Sequence, residues 1–456
     1  KNINGKKIST VINSLKEGAN LNNRSPLFWL KDDNVHPSDV LVYFDLKKKN
    51  SFQLIDELNS HNLNWVNLRY WKNKEKFAFN YGILKSSNNL SSIDPIYKWI
   101  FSEASELISK VDYWYSFFNN FNVSLHNDNT EMAQEVIIKQ IALLKLNSVS
   151  FSSQRSNLDN IPGRFYSYYP TDIFFSWGND TSKKMMKKVL NKDNPRFKSI
   201  VTSGCYMLDQ YSVNQYDDIE LIKNKFDSNN VKKTFLFLDS NHRLCNDYLH
   251  QFCTTQKMEE IYEKILLFII NNPETALIIK PKTKLDFKSL NITKTLQKAL
   301  DTNRLHIVND SDGVKPSLYA SISDLVISLA THDIPASLLE CVCLKKPGIL
   351  YNYGGLQSVE PDFFSWANNK VIFDSMDNFF SALIKFSLDE DSSFIGDWSE
   401  HIKEFDPFLD YKAANRIGYY LSLLLKYSNE DLHKDIAIGL ANDEYSRKFG
   451  KDKVSF

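Results

Sequence analysis

Asp324–Gly355 reads DLVISLATHDIPASLLECVCLKKPGILYNYGG. Leu325 to Leu329 predicts a short apolar strand, Ala330 to Pro335 a polar turn, Ala336 to Leu344 a helix and Gly348 to Tyr351 a second strand. Apolar runs on either side of a helix-length segment mark a parallel βαβ unit. Pro335 is placed to open the helix, and the turn before it offers Thr331, His332 and Asp333. Backbone N–H groups at such a helix start face the carboxyl side of the sheet, a seat for phosphate. Ser337 and Glu340 are three apart and share a helix face. A carboxylate there can accept hydrogen bonds from both adjacent hydroxyls of a pentose. Any α/β protein contains units of this kind, so the order of parts has to be read across the whole chain.

The same alternation lies on both sides. Toward the N-terminus, Val40 to Phe44, Leu63 to Leu68, Asn122 to Leu125, Ser148 to Ser152, Asp172 to Trp177 and Lys198 to Thr202 read as strands. Ser51 to Ser60, Pro95 to Phe118, Glu131 to Leu144 and Thr181 to Leu190 read as helices between them. A second set starts with strand Thr234 to Leu238 and continues through helix Met258 to Ile270 and strands Ala276 to Ile279 and Leu305 to Val308. These readings predict two Rossmann-like parallel-sheet domains facing a cleft, an α/β chain with C-terminal helices. The expected divisions are a lead-in over 1–35 with a helical patch near Ile8 to Leu15, a first domain over 36–208 and a connector over 209–232. A second domain is expected over 233–375, and a helical segment over 376–456 packing back across both.

At 456 residues the chain exceeds one ordinary core. Lys plus Arg and Asp plus Glu each number 55, so no net field steers it toward nucleic acid. Five cysteines show no paired metal spacing, and Cys341 and Cys343 fall inside the predicted helix, which favours buried thiols. No apolar run reaches the ~20 residues that span a bilayer, and the first residues lack the apolar centre of a signal peptide. The expected compartment is the cytoplasm, extending to the inner face of the membrane.

Four segments carry a family resemblance: SFSSQRS (150–156) with PTDIFFSWG (170–178), IKP (279–281), ASLLE (336–340) with Lys346-Pro347, and FDPFLDYKAANRIG (405–418). In this order they resemble bacterial surface-polysaccharide glycosyltransferases of GT-B architecture, including capsule and lipopolysaccharide enzymes. The chain departs from that pattern at Lys282, where relatives carry histidine, and at Tyr411, where they carry glycine. The resemblance implies a transferase with a nucleotide-sugar donor, a CMP-activated ulosonic acid or a UDP-hexose. It also implies a glycan or glycolipid acceptor, with no nucleic acid and with room for peripheral membrane or larger assembly association. A nucleotide-sugar epimerase, a polyol-phosphate transferase and a non-catalytic domain of a glycan-assembly protein are the other readings of the same architecture.

Sugar transfer needs a neutralised leaving phosphate, a base for the acceptor hydroxyl and an aligned anomeric carbon. Helix N-termini and basic side chains can serve the phosphate, so no cofactor and no metal are expected. Donor and nucleotide contacts are expected from Lys280, Lys282, Asn241, His242, Thr331, His332, Ser337 and Glu340. The base is expected among Asp128, His126, Asp239 and His242, with Gln154 and Arg155 on the acceptor. Each has a plainer reading. Lys280 and Lys282 could be a solvated strand end, and Asp128 could lie in the N-cap region of the next helix. Asp406, Asp410 and Arg416 read as a structural ion-pair and capping set.

Overall fold

Four- to six-residue runs of Val, Ile, Leu and Phe, buried along most of their length, form the central strands, because a sheet covered on both faces needs apolar side chains on both. The computed structural model describes residues 5–12, 25–30, 34–71, 95–128, 134–154, 171–179, 181–182, 198–209, 216–239, 254–282, 287, 290–308, 316–330, 334–352, 361–390 and 392–455. The first sheet holds β1 (Lys7–Val11), β2 (Val40–Phe44), β3 (Asn64–Asn67), β4 (Val123–Asn127), β5 (Val149–Ser153), β6 (Ile173–Ser176) and β7 (Ser199–Thr202). They are parallel and lie in the order β7-β6-β5-β4-β1-β2-β3. Helices α1 (Lys48–Ser60), α2 (Pro95–Asn120) and α3 (Gln134–Lys145) connect β2 through β5.

Helix α4 (Tyr216–Asp227) leads into the second sheet. Its strands are β8 (Lys233–Leu238), β9 (Thr275–Lys280), β10 (Leu305–Ile307), β11 (Leu325–Ala330), β12 (Gly348–Asn352) and β13 (Ile372–Phe373). All pair in parallel, in the order β10-β9-β8-β11-β12-β13. With them run α5 (Thr255–Asn271), α6 (Thr293–Asp301), α7 (Pro316–Ser321), α8 (Ala336–Val342), α9 (Pro361–Ala367) and α10 (Met376–Ser387). The chain then returns to the first sheet through α11 (Ile402–Phe405), α12 (Ala413–Asn429) and α13 (Lys434–Phe449), and β14 (Val454–Ser455) pairs antiparallel with β7.

Strand order reverses between β1 and β4 in one sheet and between β8 and β11 in the other. In open parallel sheets, ligands bind beyond the carboxyl ends at such reversals. The fold is two Rossmann-like parallel-sheet domains with C-terminal helices, as the alternation predicts.

Two readings are corrected. The helical patch expected near Ile8–Leu15 is, over Lys7–Val11, the strand β1 in the middle of the sheet. Its polar residues hid it, and each is satisfied: Lys7 Nζ donates to the Ser38 carbonyl at 2.8 Å, Ser9 meets His126 at 2.8 Å, and Thr10 accepts from Asn127 at 3.3 Å. His126 and Asn127, read as a polar strand end, belong to β4 and are buried.

The returning segment is bolted to the first domain. Arg416 makes a bidentate pair with Asp410 at 2.8 and 2.9 Å and donates to the Ser203 carbonyl at 2.6 Å, while Asp406 accepts from the Cys205 N–H at 3.0 Å. These three residues form the structural set that the sequence suggests. Gly204, at φ +92°, brings the chain within 2.9 Å of the Arg416 guanidinium, measured from where a Cβ would lie.

Candidate functional site at the carboxyl edges

The carboxyl end of β4 carries a buried polar network. Asp128 lies in its next position, 2% exposed, and its Oδ2 accepts from Lys139 of α3 at 2.8 Å. His126 Nε2 is 3.5 Å from the same oxygen and 3.4 Å from the Tyr43 hydroxyl of β2, and its Nδ1 faces Ser9 of β1. The Lys139 ammonium sits 4.7 Å from the centre of the Trp114 ring, which adds a cation–π contact. Five elements around the strand reversal, β1, β2, β4, α2 and α3, therefore converge on one His–Asp–Lys cluster.

Charge in this cluster is fixed by its surroundings. Burial would raise the Asp128 carboxyl, but the Lys139 ammonium and the His126 ring outweigh it and hold the group well below the carboxylate range. Burial lowers His126, only partly opposed by Asp128, so the ring is neutral at pH 7. Burial first, then the Asp128 charge, raises the Tyr43 phenol. Lys139, Tyr43 and Ser9 were missed by sequence reasoning. One signal was there: Lys139 is a lone cation in the apolar run VIIKQIALL (136–144).

Gln154 follows β5, buried, with its side-chain oxygen accepting from the Trp177 N–H at 2.7 Å. It ties β5 to β6, so its carbonyl is used within the sheet edge. Arg155 lies outside the described residues.

On the second sheet, Asp239 follows β8 and Lys280 ends β9; the two strands meet where the Asp239 N–H donates to the Lys280 carbonyl at 3.2 Å. Both side chains are mostly buried, whereas Lys282 is exposed. Pro335 takes the N-cap of α8 with extended backbone, one position earlier than a first helical residue, and Ser337 is half-buried. Asn241, His242, Thr331 and His332 lie outside the described residues.

Glu340 is 4% exposed. Burial first, then neighbouring Cys343 and the carboxylates of Glu340 and Asp406, raise the Cys205 thiol, and Cys205, Cys341 and Cys343 belong to one buried apolar cluster. Burial and Glu340 likewise raise Cys341, opposed by Lys280. Among the described residues no group of three or more metal-ligating side chains comes together.

No protein-family model matches the chain, and no curated protein matches it in sequence. Solved structures do. S. aureus MnaA, solved with UDP, superposes with a TM-score of 0.51 at 13% identity over 92% of this chain and 97% of that one. A protein described as a UDP-N-acetylglucosamine 2-epimerase from Listeria monocytogenes gives 0.52 at 13% identity over 94% and 98%. A variant of the wall teichoic acid polymerase TagF gives 0.50 at 12% over 94% and 89%. At such identities the likeness establishes the GT-B fold.

Proposed function

We propose that the chain is a nucleotide-sugar enzyme that transfers a glycosyl group from its donor to a surface-glycan acceptor without a metal ion. The observation that carries this reading is the double strand reversal, with polar residues beyond β4 on one sheet and beyond β8 and β9 on the other. Lys280 and Lys282 would face the donor's phosphates, and Ser337 and Glu340 its pentose. Because Glu340 is 4% exposed, its engagement requires its surroundings to open. His126, buried with Nδ1 facing Ser9 and Nε2 near Tyr43 and Asp128, is the favoured base once the end of β4 opens to the acceptor. It is neutral, and ionised Asp128 beside it would steady the imidazolium as it forms. Asp239 would act from the donor side, Gln154 and Arg155 on the acceptor.

A second reading is favoured by the neighbours themselves, one described as a 2-epimerase and another solved with UDP. An epimerase acts on the nucleotide sugar alone. Incubation with CMP-, UDP-, GDP- and CDP-sugars, with and without a glycan acceptor, separates the two: a transferase releases nucleotide only with the acceptor, and an epimerase turns over without it. A thermal-shift panel of the free nucleotides comes first, since a ligand at 100 times its Kd adds about 2.7 kcal/mol. A shift with none of the four would leave a non-catalytic domain as the reading.

A further inference from the structure

Ser9 stands in the middle of β1, fully buried at the centre of the first sheet. A sheet covered on both faces favours apolar side chains at such a place, and a buried hydroxyl is tolerated only when hydrogen-bonded. The register partner of Ser9 is His126 of β4, and Ser9 Oγ lies 2.8 Å from the ring's Nδ1. The Leu125 carbonyl oxygen is 3.5 Å from the same Oγ. What this pair can do depends on which ring nitrogen carries the proton.

The groups around His126 bear on that choice. Nε2 lies 3.5 Å from Asp128 Oδ2 and 3.4 Å from the Tyr43 hydroxyl of β2. Lys139 of α3 donates to the same Asp128 oxygen at 2.8 Å and keeps the carboxyl ionised. From α2 comes the uncharged Phe118 ring, its centre 5.0 Å from that of the imidazole. On β5, Ser150 is in register with His126, and its hydroxyl donates to Asp172 at 3.1 Å.

An ionised carboxylate can only accept hydrogen bonds. With the ring proton on Nδ1, the Nε2 lone pair would face that anion inside a buried cluster, where the repulsion is little screened. With the proton on Nε2, the N–H points toward the carboxylate, and the bare Nδ1 accepts from the Ser9 hydroxyl. The second arrangement suits Asp128, His126 and Ser9 together.

We propose that Ser9 positions His126 for proton uptake, donating to Nδ1 of the neutral ring and accepting from Nδ1–H once the ring is charged. The reversal needs only a rotation of the hydroxyl, whose hydrogen turns from Nδ1 to the Leu125 carbonyl. Both N–H groups of the imidazolium are then matched, one to Asp128 and one to Ser9. A hydroxyl serves as donor and acceptor by rotating; a methyl group in its place does neither. In sugar transfer, the proton gained at Nδ1 is the one that the acceptor hydroxyl loses as its oxygen bonds to the sugar, so no further reactant is required. That use rests on the reading of His126 as the base, whereas the state of the resting ring does not.

The test is magnetic resonance of the full chain carrying isotope-labelled histidine nitrogens, at about pH 8, above the ordinary histidine range. A His126→Gln spectrum, which lacks the His126 signals, assigns them. The expected native ring has a protonated Nε2 and a bare, hydrogen-bonded Nδ1. Ser9→Ala should move the Nδ1 signal toward that of a free bare nitrogen, and Ser9→Thr, which keeps a hydroxyl, should leave it near the native position. A proton on Nδ1 of the native ring overturns the proposal, as does an Nδ1 signal that Ser9→Ala leaves in place. Should Ser9→Ala lower the unfolding midpoint, Ser9→Cys, with its weak S–H donor, is read by the same criterion. With donor and acceptor sugars present, Ser9→Ala should lose about tenfold in kcat at unchanged KM, and Ser9→Thr should recover it. Native-like kcat in Ser9→Ala overturns the positioning role. A native chain that transfers no sugar overturns both that role and the base reading, and the nitrogen signals distinguish this failure from a misplaced Ser9.

Discussion

Lys139 is buried and spends its charge on Asp128 at 2.8 Å. Lys139→Met should cost about 3–5 kcal/mol in denaturant unfolding, because it strands a buried carboxylate. Asp128→Asn in the same chain should recover much of that loss. The acid dependence has a definite sign. A carboxyl lowered on folding contributes stability that is present above its unfolded value, about 3.9, and is lost as pH falls toward the folded value. Asp128→Asn should therefore flatten the loss of stability below about pH 4, read from unfolding midpoints across that range. Catalysis should follow His126. Its lowered pKa puts the acid limb of kcat/KM below about 6.5, so a limb centred above that value would exclude it as the base. Asp128 and His126 were legible from the sequence as polar residues at a strand end. Their partners were not, because Ser9, Tyr43 and Lys139 come from three elements whose adjacency only the sheet order creates.

At the scale of elements, hydrophobic runs made most strands legible to within one or two residues: β2 stands out as an unbroken apolar stretch and β11 as one interrupted only by Ser328. β1 was illegible because three of its five residues are polar, and it is paid for by side-chain partners on β4 and in the loop before β2. β14 was illegible too, since two residues carry no periodicity; it exists because α13 delivers it to the open edge of β7. The return segment gives the test at this scale. Arg416→Lys keeps the charge but loses the planar fork that holds Asp410 and the Ser203 carbonyl together. A loss of about 1–3 kcal/mol is expected in denaturant unfolding. Lys434→Met should cost more, about 3–5 kcal/mol, since it leaves buried Asp172 without the ammonium now 2.8 Å away.

For the whole molecule, the two-domain architecture was legible from alternation alone, whereas the contact between the domains was not. Cys205 of the first domain and Cys341 of the second fall in one buried cluster although 136 positions separate them (341 − 205). If donor binding draws on Glu340, Glu340→Ala should lower nucleotide-induced thermal stabilisation while the ligand-free midpoint stays within about 1 kcal/mol of native. Full stabilisation in that variant would remove the residue from the site.

The pairing of the last strand with β7 has a wider consequence. Strands β1–β7 precede the second domain and β14 follows it into the same sheet, so the second domain is topologically an insertion hung on two tethers, one outgoing through α4 and one returning through α11. A body held at two points swings about the line joining them and cannot wander as it would on a single linker. Any movement of the second domain against the first should therefore follow one rotation, with each return bringing the same side chains back into register.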